Sequence, residues 1–276
     1  MNNRRKMRAL FIGLLLALAA VVMTAAACHP GHHRGPQTQE EAQAHMLERL
    51  EESLDAIQAT DEQRAALRPL VERASTRLWA LRGLREQGHQ ALLGQIKAGQ
   101  YDAAALHKLL DEAAPQLQAT AHALSGDVLK AHAVLTPAQR EQLADHLDAR
   151  REERHARFKR GHRGDHKGPG PGMDFLLERL GATPAQAELA AALRDDLHAE
   201  REAARKGHEA RHDAVRAELL SDDPDAAVLA KAIDDTAAEL RAAGHRIIDR
   251  VGALADTLTP DQWARLQRFA ERMGPR

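Results

Sequence analysis

The chain repeats itself at an offset of 123 residues, and this restricts its fold more than any other feature. Leu135-Thr136-Pro137-Ala138-Gln139 returns as Leu258-Thr259-Pro260-Asp261-Gln262, and Ala59-Thr60-Asp61-Glu62-Gln63 returns as Ala182-Thr183-Pro184-Ala185-Gln186. The same offset carries Asp102 to Asp225, Leu106 to Leu229, Leu117 to Leu240 and His122 to His245 without a gap, with roughly a quarter of the aligned positions identical. A unit that recurs whole must fold twice, so the 276 residues divide into two tandem domains of roughly 100 residues each.

Each of the four motifs reads as a helix start. A threonine at the N-cap accepts a hydrogen bond from a free N–H of the first turn, and glutamine three residues later reaches back to the cap. Proline between them, at Pro137, Pro184 and Pro260, gives up an N–H that has no partner there. Between the motifs the apolar residues keep helical spacing: Met46, Leu47, Leu50, Leu54 and Ile57; then Leu67, Leu70, Leu78, Leu81, Leu92 and Ile96; then Leu106, Leu109, Leu110, Leu117, Leu124 and Val128. Copy two repeats the plan, with Leu189, Leu193, Leu197, Val215 and Leu219 on its long second helix. Aromatic residues make up only 3% of the chain, which leaves little material for strands. The expected fold is all-α: in each copy a four-helix unit built on a long helical hairpin, the two copies packing as an intramolecular pseudo-dimer or the chain forming a homo-oligomer.

Paired T-x-x-Q helix starts in an exported helical chain resemble the LTxxQ family of Spy- and CpxP-like periplasmic stress proteins. The full L-T-P-x-Q form stands once per copy, at Leu135, Thr136, Pro137 and Gln139 and at Leu258, Thr259, Pro260 and Gln262; Thr60, Gln63, Thr183, Pro184 and Gln186 carry the degenerate form. The resemblance implies an ATP-independent chaperone that holds unfolded or misfolded envelope proteins on a helical cradle. It also allows a metal-binding or metal-sensing protein, or a regulator docking on an envelope sensor kinase.

The expected domain plan is a signal peptide over 1–27, a tether over 28–39, the first helical domain over 40–158, a Gly/Pro/His linker over 159–172 and the second domain over 173–276. A basic start, an apolar run from Ala9 to Met23 and small residues Ala25-Ala26-Ala27 make a secretory signal. The lone cysteine, Cys28, follows directly, and its isolation in an exported chain favours lipidation over a stray thiol left by ordinary cleavage. Any membrane contact would then be through the N-terminal lipid only, with the protein in the periplasm. Without Arg4, Arg5, Lys6 and Arg8, the 39 basic residues fall to 35 against 40 acidic ones, a surface unsuited to nucleic acid.

His208-Glu209-Ala210-Arg211-His212 spells the H-E-x-x-H of zinc proteases. No third ligand follows at a recognisable spacing, the flanks are charged, and copy one reads Arg85-Glu86-Gln87-Gly88-His89 at the matching place. His208 and His212 are therefore read as border histidines or as a non-catalytic site for zinc or another divalent transition metal. The metal reading also draws on His29, His32, His33, His155, His162 and His166. His245 is expected near Glu200 and His198 across its own hairpin. No phosphate loop, nucleophile elbow or paired catalytic carboxylates stand out, so no enzyme activity and no required cofactor are expected.

Overall fold

The computed structural model describes residues 36–161 and 171–273. Every regular element among them is helical: α1 (Gln39–Ala56), α2 (Asp61–Ala98), α3 (Ala103–Val134), α4 (Pro137–Gly161), α5 (Pro171–Leu180), α6 (Pro184–Leu220), α7 (Ala226–Ala255) and α8 (Pro260–Met273). The all-α expectation holds. Helix is present at both ends of the expected linker, over 159–161 and 171–172, and the rest of that linker lies outside the described residues. Thr38 caps α1, so the helix begins inside the stretch read as tether.

Local chemistry explains the boundaries. Thr60 and Thr183 each form a complete capping box with the glutamine three residues on. The hydroxyls of Thr136 and Thr259 accept from the Gln139 and Gln262 backbone N–H groups at 3.3 Å. Asp102 and Asp225 cap α3 and α7 through their carboxylates. Gly99 ends α2 in the left-handed conformation at φ 66°, where a Cβ is costly. Pro69 and Pro115 lie inside α2 and α3 without ending them.

α2 with α3 and α6 with α7 make two hairpins. At 38 residues α2 spans about 57 Å, far longer than a single core can bury end to end. Two buried apolar clusters lie at a hairpin base and a hairpin tip. In copy one Leu54, Ile57, Leu67, Leu70 and Leu135 form a buried cluster where α1, α2 and the α3–α4 turn meet. In copy two Val215, Leu219 and Leu229 form another at the α6–α7 tip, and Val128 and Leu129 of α3 pack against it. The base of one copy thus receives the tip of the other. The reciprocal contact is made by α8 against α2, where Gln267 Nε2 donates to the Lys97 carbonyl at 2.9 Å.

Two readings of the apolar stripe are corrected. Leu93, not Leu92, is the buried member near the end of α2, and Leu92 is 36% exposed. Leu189 is 41% exposed, while Ala190 and Leu193 face inward. One residue is a 100° turn of a helix, so a short apolar run fixes its buried face only to within one position.

Candidate functional site

The four motif glutamines meet in pairs. In copy two Gln186 Oε1 accepts from the Thr183 N–H at 2.9 Å and from Gln262 Nε2 at 2.8 Å. Its Nε2 donates to the Thr257 carbonyl at 2.7 Å and to Gln262 Oε1 at 2.8 Å. Gln262 completes the exchange, accepting from the Thr259 N–H at 2.9 Å and donating to the Gly181 carbonyl at 3.2 Å. Both acceptor sites and both donors of each amide are filled, which lets the pair be buried at 4% and 5% exposure. Copy one repeats the exchange with Gln63 and Gln139, which bond to each other at 2.8 and 2.9 Å, and Gln63 also donates to the Val134 carbonyl at 2.9 Å. Leu135 is buried beside this clasp and Leu258 partly buried beside the other, while Pro137, Pro184 and Pro260 are exposed on their first turns. The motif residues therefore act together as a lock between the start of the second helix and the start of the fourth.

The larger surface lies between the copies, where α3 and α7 run antiparallel. Asp111 accepts from Arg241 Nε at 2.8 Å and bonds His245 Nε2 at 2.9 Å. Asp234 accepts from Gln118 Nε2 and bonds His122 Nε2, both at 2.7 Å. The 123-residue offset maps Asp111 to Asp234, His122 to His245 and Gln118 to Arg241. Each aspartate is thus held by equivalent residues of the opposite helix, as in an isologous interface. Arg241 foremost, and His245 with it, hold the Asp111 carboxyl below its ordinary range, and Gln118 and His122 do the same for Asp234. At the neighbouring turn the Tyr101 hydroxyl donates to the Ile248 carbonyl at 2.8 Å. Burial, with Asp249 nearby, pushes its phenol up to about 12. Gly252 leaves the room for that ring, whose edge lies 3.2 Å from where a Cβ would stand.

His245 therefore does not turn toward Glu200. Its neighbour Arg246 takes that partner, at 2.5 and 2.7 Å, and His245 faces the other copy. The register of the hairpin was as expected, but the face was not. Asp111, His107 and Asp249 carried no local motif; the signal for the Asp111–His245 pair was the offset that equates it with Asp234 and His122.

Where the copy-one base meets the copy-two tip, a mostly apolar cavity of about 140 Å³ remains between Leu50, Leu54, Leu70, Val128, Leu219 and Leu220. Arg140 borders it, with Nη1 donating to the Leu135 carbonyl at 3.1 Å and Nη2 to Asp222 at 2.6 Å. Deeper in the copy-one hairpin, Asp127 is 6% exposed and accepts from Arg73 at 3.1 Å and from Arg77. Burial would raise the Asp127 carboxyl, but the two guanidiniums outweigh it and hold the group low. A folded-state shift in that direction adds stability above the unfolded value near 3.9 and loses it as pH falls through the folded one. Asp127→Asn is expected to cost about 1–2 kcal/mol at pH 7, limited because both arginines are partly solvated, and the gap from the parent should begin to close below about pH 4 and vanish as pH falls through the lower folded-state value. Urea unfolding of both chains across pH 2.5–7 checks it.

The side chains of His208 and His212 lie outside the described residues, as does Cys28. Among the described residues no group of three or more His, Cys, Asp or Glu side chains is arranged to hold a metal ion, and no helix is long and apolar enough to cross a membrane.

Residues 154–265, from the end of α4 through most of the second copy, match the heavy-metal resistance family. That family is related to the Spy- and CpxP-like helical periplasmic proteins. No curated protein and no solved structure matches the chain.

Proposed function

We propose that the chain is an ATP-independent chaperone or stress-response protein of the cell envelope, holding unfolding proteins on a cradle formed by its paired hairpins. The observation that carries this reading is the antiparallel α3–α7 interface, which joins two long hairpins within one chain. Such helices are too long and too charged to bury one whole face, so much of their length stays available to clients. Leu92 and Leu189 offer single apolar anchors on helices otherwise rich in charge. A surface of that mixture holds unfolded segments by many weak contacts and releases them without a nucleotide-driven step. The envelope location rests on the N-terminal signal and on lipidation of Cys28, and the role needs no catalytic residue and no required cofactor.

The second reading, metal binding or sensing, is favoured by the heavy-metal resistance match. Docking on a sensor kinase follows from the Spy/CpxP resemblance alone. A chemically unfolded client diluted into metal-stripped protein without ATP separates them. Suppression of light scattering near equimolar ratio is the expected result. Unchanged scattering, followed by tight stoichiometric zinc binding, would transfer the function to the metal reading.

A further inference from the structure

The α3–α7 interface contains one arrangement that the helix pairing does not require. His107 of α3 and His245 of α7 approach with their Nδ1 atoms 2.5 Å apart. The ring centroids are 4.8 Å apart and the planes differ by 23°, so the separation is about the nitrogen gap plus two ring radii. The rings therefore meet edge to edge, with the two nitrogens nearly in line, and do not overlap face to face.

Their outer nitrogens fix the protons. His107 Nε2 bonds Asp249 at 2.7 Å and His245 Nε2 bonds Asp111 at 2.9 Å. An ionised carboxylate only accepts, so both Nε2 atoms carry hydrogen. Two neutral rings of that tautomer would direct two Nδ1 lone pairs at each other. The charges agree: among the described residues Arg241 is the one permanent cation bonded to Asp111 or Asp249, and the Tyr101 phenol beside Asp249 stays neutral, leaving the cluster one positive charge short. The offset places Ala230 and Gly126 opposite His107 and Asp249 in the repeat, so the second histidine and second aspartate occur at one end of the interface only.

We propose that His107 and His245 form a site for a single cation shared between the two hairpins, held by two in-line Nδ1 lone pairs. The cation is a proton or a soft monovalent metal ion of linear coordination, Cu(I) or Ag(I). A proton fits the observed gap. With metal–imidazole bonds of about 2.0–2.1 Å, an ion in line would hold the nitrogens roughly 4 Å apart, so the rings must part by about 1.5 Å. Both rings are partly exposed, so the movement would have to be taken up with the carboxylates that hold their outer nitrogens. The carboxylate behind each histidine is the arrangement that orients imidazole ligands toward a metal. Among the described residues no third donor completes a tetrahedral zinc site here. This inference is independent of the chaperone reading.

Nuclear magnetic resonance of the full chain with ¹⁵N-labelled histidine, before and after addition of Ag⁺, tests it without altering the protein. Signals are assigned with His107→Asn and His245→Asn. A through-hydrogen-bond coupling between the two Nδ1 atoms supports the site with a proton in it. Coupling of silver to both Nδ1 atoms, at one ion per chain, supports it with a metal. Absence of both couplings, with the two rings titrating and binding silver independently, would overturn it.

Discussion

Gln186→Glu destabilises the chain by about 3 kcal/mol at pH 7, lowering the melting temperature by about 10 °C. The substitution keeps the shape of the side chain and preserves the acceptor of the Thr183 capping box, so neither a cavity nor a lost cap enters the result. It removes the two donors that reach the Thr257 carbonyl and Gln262 Oε1, and puts a carboxylate oxygen against both in a position only 4% exposed. Each buried acceptor left without a partner costs about 1–3 kcal/mol, and the buried charge adds to that. Gln63→Glu makes the same change in the more exposed clasp of copy one and should cost less. Urea and thermal unfolding of the two variants measure the difference; equal small losses would mean that the amides only cap their own helices.

Leu54→Ala should cost about 3–4 kcal/mol. Leu54 is 2% exposed, belongs to the copy-one base cluster and borders the existing cavity of about 140 Å³. Removing its branched end enlarges a void already present, and the surroundings cannot close it without moving the α6–α7 tip. A loss below about 1 kcal/mol in urea unfolding would show that this base collapses freely, and so that the tip is not rigidly seated on it.

Much of the fold was legible because its signals are local. A threonine, a proline and a glutamine in sequence specify a helix start through bonds made within one turn, and Gly99 specifies a stop through its own backbone. The pairing of Gln63 with Gln139 was not legible, because a capping box says nothing about which other cap it meets. The amide has three hydrogen-bonding sites beyond the one the box uses, and only the tertiary fold supplies their partners. His245 shows the same limit from another side. Counting along the hairpin finds Glu200 at the right level, but Arg246 is the residue that faces it. The partner of His245 lies in the other copy, where no count within one hairpin can reach. Leu92 and Leu93 differ only in which side of α2 they occupy, a distinction set by neighbouring helices.

The antiparallel meeting of α3 and α7 has a consequence for how this assembly responds to dilution. Two separate protomers joined by such an interface would part as their concentration fell, since their stability includes the entropy of bringing them together. Here both halves are covalently one molecule, so the effective concentration of α7 around α3 is set by the chain and stays the same however scarce the protein becomes. Being one chain also frees the two hairpins from identity. In a homodimer any residue added to one side of a twofold interface appears on the other, whereas this chain has His107 and Asp249 at one end and Ala230 and Gly126 at the corresponding places. A single chain can thus hold an asymmetric feature between two similar hairpins.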